Sequence, residues 1–291
     1  MALSGADKVV RKGRVSETAI RLLLADVDGT LVTQEKVLTE RTLAAARALK
    51  KAGVALAITS GRPPRGMTML IEPMELTTPI AGFNGGVFVK PDLRVIETHG
   101  LEAKAARQAL DIILKQGMDA WLYTPDAWLI RDPKAAHVAR EAWTVKFEAE
   151  VKSEFTDDDL ADAVKIVGVS DDLGLVERCE AAVQEALGDK ASAARSQPYY
   201  LDVTSPEANK GVVVASLARM LDIPASAIAT MGDMPNDVLM FAKGGFSIAM
   251  GNASDQVKAH ANEVTDANDD EGFAKAVERF ILPRARKGDR A

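Results

Sequence analysis

The chain has 291 residues, 47% of them apolar, which is long for one domain and enough to build the cores of two. Thirty-six basic residues against forty-two acidic ones leave a formal charge of -6, which argues against a broad nucleic-acid or anionic-membrane footprint, so an anionic ligand needs a local cation. A single cysteine, Cys179, excludes an internal disulfide and a thiolate metal cluster and fits a reducing, cytoplasmic compartment.

The opening segment "MALSGADKVVRKGRVSE" is basic but lacks the apolar run of a signal peptide, and no uncharged apolar stretch of spanning length occurs later, so no membrane partner is expected. Residues 1–17 and 286–291 read as solvated tails. "RLLLADVDGTLV", Arg21 to Val32, is a buried strand that ends in two carboxylates. "TERTLAAARALKKAG" follows as a helix with Thr39 as N-cap and Gly53 as its stop. "VALAITSGR" is a second strand, ending at Thr59 and Ser60, and "PIAGFNGG" a third, ending at Asn84. Short apolar runs alternating with helices are the mark of βαβ units and a parallel sheet.

The pattern changes over 87–200. A helix at "LEAKAARQALDIILKQG", a hairpin at "DAWLYTPDAWLI", a strand at "AVKIVGVS", a helix at "LGLVERCEAAVQEAL" and a strand at "PYYLDVT" make a small α+β domain. The βαβ character then resumes. A helix starts at Lys210 with Val213, Leu217, Met220 and Leu221 on one face, followed by "AIATMGD", a short helix opened by Pro235, and "GFSIAMGN". The expected fold is α/β, a doubly wound Rossmann-like parallel-sheet core (18–86 and 201–285) with an inserted α+β domain at 87–200.

Open parallel sheets bind ligands outside the carboxyl ends of their strands. Strands ending at Asp26, Ser60 and Asp233 deliver polar residues to that edge, and Lys210 arrives there at a helix start. Asp26 and Asp28, at i and i+2, share a side of an extended chain, and Gly29 permits a sharp turn behind them. Clustered carboxylates need a cation, and an all-oxygen site suits Mg²⁺. An EF-hand is excluded, because the twelfth position from Asp26 is Val37 where a Glu is wanted. His99, His137 and His260 show no metal spacing, and Trp121, Trp128 and Trp143 read first as packing residues of the inserted domain. Arg65 is expected to meet solvent. Arg62 is a candidate for a phosphate or for the far end of a substrate, and Asn84 for a hinge or a substrate contact.

"DVDGT", "TSGR", Lys210-Gly211 and "MGDMPND" followed by "IAMGNA" resemble the four motifs of the haloacid dehalogenase superfamily. The insertion between the second and third motifs is similar to the Cof-type branch with a C2-type cap. The likeness runs from about Arg21 to Leu282. It implies a phosphatase with Asp26 as nucleophile, Asp28 as general acid and base, and Mg²⁺ held by Asp26, the backbone carbonyl of Asp28 and Asp233. It further implies that Ser60 and Gly61 contact the phosphate, Lys210 neutralises it, Asn236 faces it, and Asp237 supports the site through metal-bound water or Lys210. The implied partner is a small phosphorylated metabolite, a sugar phosphate first, with no nucleic acid and a monomer or homodimer as the working unit. Phosphoryl transfer to a second substrate, or binding without turnover, are the alternatives.

Overall fold

The computed structural model describes residues 18–285, and both expected tails lie outside the described residues. Five strands come first: β1 (Leu22–Asp26), β2 (Ala55–Thr59), β3 (Ile80–Gly82), β4 (Val87–Val89) and β5 (Val95–Thr98). Then come β6 (Asp119–Tyr123), β7 (Trp128–Ile130), β8 (Glu150–Val151), β9 (Lys165–Val169), β10 (Ser192–Gln197) and β11 (Tyr200–Thr204). The last are β12 (Ile228–Gly232), β13 (Phe246–Ala249) and β14 (Glu263–Val264). The first and last groups share an eight-stranded sheet in the order β14-β13-β12-β1-β2-β3-β4-β5, and the middle group forms a second sheet, β10-β11-β9-β6-β7-β8.

From β14 to β3 every neighbouring pair is parallel, with β1 at the centre between β12 and β2. Both faces of β1 are covered, which is why its sequence is a continuous apolar run and not an alternation. Leu23 and Ala25 pack with Leu49 of the helix Glu40–Lys51 and with Phe273, while Leu22 and Leu24 pack with Val213, Val214 and Leu217 of the helix Lys210–Leu221. Helices on both faces make the core doubly wound. Thr39 caps the first helix by accepting from the Thr42 N–H, and Gly53, at φ 71°, sits just past its end.

Residues 87–98 were expected to open the inserted domain. They instead turn back on the core, β4 antiparallel to β3 and β5 antiparallel to β4. Val87, Phe88 and Val89 are all buried, so a place inside the sheet, between β3 and β5, hides both faces of this short apolar run. The second sheet begins at Asp119 and keeps its last strand to Thr204, beyond the expected return at 200. One of its faces, Ala120, Leu122, Ile166, Leu201 and Val203, packs on the helices Ala103–Lys115 and Leu173–Leu187. The other face, with Trp121, Tyr123, Val167 and Tyr200, shares one apolar cluster with Met67 and Phe83 of the core. The inserted domain is thus a cap seated on the core. Among the described residues, no helix is long and apolar enough to cross a membrane.

Candidate active site

The carboxyl ends of β1, β2 and β12 point to one edge of the core sheet. Asp26 closes β1 there, only 4% exposed. The chain then folds tightly, with Leu31 and Val32 both donating backbone N–H groups to the Val27 carbonyl, and Gly29 takes φ 78°. A Cβ at Gly29 would overlap the Asp233 carboxylate, so this position needs glycine for space as well as for its backbone.

Lys210 opens its helix fully buried and bridges two acids, with Nζ 2.6 Å from Asp26 Oδ1 and 2.5 Å from Asp237 Oδ1. The other oxygen of Asp237 accepts from the backbone N–H groups of Asp233 and Met234, at 2.9 and 2.8 Å. Asp233 accepts from Thr30 Oγ1 and, at 3.1 Å, from Asn252 Nδ2. The same Asn252 amide donates to the Gly29 carbonyl, and Asn252 Oδ1 accepts from the Asn268 N–H.

Asp26, Asp233 and Asp237 each place a carboxylate oxygen within 4.8 Å of the others, all three residues being buried. Three carboxylates around one ammonium leave two negative charges to be balanced. Burial pushes the Asp26 carboxyl up to about 8, with Lys210 opposing the shift and the Asp237 charge adding to it. Burial and the Asp237 charge raise Asp233 to about 6. Burial works against the charge on Lys210, but the pairs with Asp237 and Asp26 outweigh it and raise that ammonium above its ordinary value. The donors fit a divalent, oxygen-liganded cation such as Mg²⁺, since three buried carboxylates bring an oxygen each within 4.8 Å of the others.

Asp28 lies on the other side of the turn. Arg62 clamps it with two bonds, Nε to Oδ2 at 2.7 Å and an Nη to Oδ1 at 2.6 Å, and Lys36 Nζ adds a third at 2.7 Å. Burial favours the neutral acid, but Arg62 and Lys36 outweigh it and hold the carboxyl below its ordinary range. In this form Asp28 is ionised.

Ser60, 2% exposed, follows β2, and its Oγ accepts from the Arg62 N–H at 3.1 Å. Gly61 lies against the Asn84 amide, and Asn236 Nδ2 donates to Asn84 Oδ1 at 3.2 Å. The expected site residues thus converge: Asp26, Lys210, Asp233 and Asp237 form one buried group, Asp28 and Arg62 a second beside it, and Ser60, Gly61, Asn84 and Asn236 line the adjoining edge. Arg65 does not meet solvent alone. It reaches the cap, donating to the Asp126 carbonyl at 2.9 Å and stacking over Phe147, because the cap sits close enough to take a long side chain. Trp121 and Trp128 are buried packing residues as expected, whereas Trp143 is 55% exposed.

Lys36, Asn252 and Asn268 were not singled out from sequence. Asn252 stands in the motif "IAMGNA", so a signal existed; Lys36 reaches Asp28 from a loop with no such mark, at φ 64°.

A family model described as haloacid dehalogenase-like hydrolase matches residues 23–277. The 5-amino-6-(5-phospho-D-ribitylamino)uracil phosphatase YcsE of Bacillus subtilis (strain 168) is 25% identical over 264 residues, covering 90% of this chain and 96% of that protein. The pyridoxal phosphate phosphatase YbhA of Escherichia coli (strain K12) is 25% identical over 271 residues, 90% of this chain and 99% of its own length. Among solved structures, a haloacid dehalogenase-like hydrolase from Bacteroides thetaiotaomicron superposes with a TM-score of 0.82 at 25% identity, covering 89% of this chain and 99% of that one. The subclass IIB sugar phosphatase BT4131 shares the fold with a TM-score of 0.76 at 21% identity, over 90% and 99% of the two chains.

Proposed function

We propose that this chain, which belongs to the haloacid dehalogenase-like hydrolases and is a phosphatase acting on small phosphorylated metabolites, hydrolyses a phosphate monoester, a sugar phosphate first, through an aspartyl-phosphate on Asp26 with Mg²⁺ as cofactor. The carrying observation is the buried Asp26 oxygen held by Lys210 beside Asp233 and Asp237. A dication bound there offsets the repulsion between a carboxylate nucleophile and a phosphate dianion.

Asp26 attacks phosphorus and the bond to the leaving oxygen breaks, with the departing alkoxide taking a proton from Asp28. Water then attacks the aspartyl-phosphate, Asp28 takes its proton, and phosphate leaves as Asp26 is regenerated. The Arg62-bound, ionised Asp28 is the base of that second half; its acid duty in the first requires the Arg62 clamp to open and a proton to be taken up. Lys210 lowers the charge met by the incoming phosphoryl oxygens, and Ser60, Gly61, Asn84 and Asn236 are assigned to binding it. Asp237 holds Lys210 and the turn after β12, and Asp26, Asp233 and the Asp28 carbonyl would hold the metal, with Asp237 close by. The cap excludes bulk water and contacts the leaving group.

Phosphate release from a panel of phosphorylated sugars, nucleotides and cofactors, with Mg²⁺ or chelator, tests this reading. Asp26→Asn removes the nucleophile at nearly constant shape, so turnover is expected to drop at least ~10³-fold with the fold intact. Normal turnover in that variant, or full activity in chelator, refutes the proposal.

A further inference from the structure

Arg62 is held from two directions. Its Nε and one Nη grip the Asp28 carboxylate, and its other Nη donates to the Gly66 carbonyl at 3.3 Å. The side chain is only 4% exposed, so few other orientations are open to it. Gly66 lies in the short 3-10 helix Pro64–Met67. The guanidinium that orients Asp28 is therefore tied to a backbone carbonyl a little further along its own chain.

That piece of backbone is also where the cap rests. Arg65 donates to the Asp126 carbonyl at 2.9 Å, and its guanidinium lies 4.7 Å from the centre of the Phe147 ring. Asp126 sits in the turn between β6 and β7, whose shape Thr124 fixes by accepting from the Ala127 N–H and donating to Asp126 Oδ1. On Gly66 itself, a Cβ would come 2.8 Å from the Val145 carbonyl oxygen and 3.3 Å from the Val145 Cα. Val145 ends the cap helix Val138–Val145, and Phe147 lies just beyond it. Gly66 is not in the left-handed region, so an alanine suits its backbone and only the close approach of the cap forbids one. Residues 62–66 thus hold Asp28 at one end and carry the cap at the other.

Resting on the phosphatase reading, we propose that Arg65 and Gly66 are positioning residues: the cap seated on them fixes the Gly66 carbonyl, that carbonyl fixes Arg62, and Arg62 sets the Asp28 carboxylate for the attack of water on the aspartyl-phosphate. In that step the water oxygen bonds phosphorus, the bond from phosphorus to the Asp26 oxygen breaks, and the water proton goes to Asp28. Neither Arg65 nor Gly66 touches the reacting atoms. Loosening this seam moves the base away from its water, while attack by Asp26 is spared when the leaving group departs without a proton. A positioned base is worth ~10²–10⁴-fold, and Lys36 still holds Asp28 Oδ1 from the other side, so a loosened seam is expected to slow the hydrolytic step only about tenfold.

The experiment compares the full chain with its Arg65→Ala and Gly66→Ala variants on p-nitrophenyl phosphate with Mg²⁺, by stopped flow and in the steady state. p-Nitrophenolate is a weak base that leaves without a donated proton, so its first-turnover appearance reports attack by Asp26, and the steady rate reports hydrolysis of the aspartyl-phosphate once that step is the slower one. In both variants kcat is expected to fall at least about threefold and KM to fall with it, leaving kcat/KM within about twofold, and a burst of p-nitrophenol is expected before the steady phase. Arg65→Lys keeps the charge but loses the planar fork and is expected to fall between wild type and Arg65→Ala. A merely structural role lowers kcat at constant KM through a smaller folded fraction, and a lost substrate contact raises KM. Either of those patterns, or an unchanged kcat in variants that circular dichroism shows folded, overturns the relay while leaving the phosphatase reading in place. Should Gly66→Ala not fold, the two Arg65 variants decide alone. No release by the wild type from p-nitrophenyl phosphate or from any compound of the panel overturns the phosphatase reading and the relay with it.

Discussion

Asn252 does at the residue scale what no single carboxylate at the site can do. One amide ties Asp233 Oδ2 to the carbonyl of Gly29, and its oxygen takes the Asn268 N–H, so the Asp233 rotamer is fixed to the turn that follows Asp26. Asn268 continues the chain of contacts to the Val32 carbonyl. A metal-binding acid with a free rotamer loses affinity, and removing such outer partners typically costs ~10–100-fold. Asn252→Ala is therefore expected to raise the Mg²⁺ concentration for half-maximal binding, read by calorimetry or by metal-dependent thermal shift, into that range. Unchanged metal affinity would mean that Asp233 holds its place without help.

Among the elements, the helix Glu40–Lys51 shows how a sequence signal gains tertiary weight. Thr39 caps it by accepting from Thr42, as the sequence suggests, and its hydroxyl also donates to Glu271 Oε2 at 2.7 Å, tying the helix start to the segment before the helix Gly272–Ala276. Both helices pack on the same face of the core sheet. Thr39→Ala removes both contacts, with an expected loss of about 1–2 kcal/mol in a denaturant titration. Thr39→Ser keeps the hydroxyl and is expected to recover most of it; an equal loss in both variants would trace the effect to the methyl group. The strands that sequence missed have a shared cause. β10 reads "SAARSQ", with only Ala193 buried, and β5 is an edge with Val95 and Ile96 exposed, so neither carries the apolar pattern of an interior strand.

Over the whole molecule, the buried acid cluster couples stability to pH and to metal. In the metal-free fold burial holds the Asp26 carboxyl up at about 8 and that of Asp233 at about 6, against 3.8 for a fully exposed aspartate. Between those values the folded chain binds protons that the unfolded chain has lost, so this cluster's contribution to stability falls as pH rises from about 4 toward 8. A dication replaces the lost protons as the charge balance. The gap in melting temperature between Mg²⁺ and chelator is expected to widen from pH 5 to pH 8. A gap that is constant or narrows with pH would show that Asp26 and Asp233 do not share a metal.

The sequence alone determined the order of elements through β1, β2 and β12, the residues delivered to the sheet edge, and the interruption of the core by a second α+β unit. These follow from local signals: continuous apolar runs for strands covered on both faces, a Thr cap, and acids, Ser60 and Lys210 placed at element ends. Only the tertiary structure decided which charges face each other. Asp28 meets Arg62 and Lys36, Asp237 joins Asp26 through Lys210 across 184 and 27 residues of chain, and Arg65 reaches the cap. Electrostatic pairing depends on distances of a few ångströms between side chains far apart in sequence, and periodicity carries no information at that range. The same holds for Lys165 and Asp202, which look like ordinary surface charges until neighbouring strands of the cap sheet bring them together.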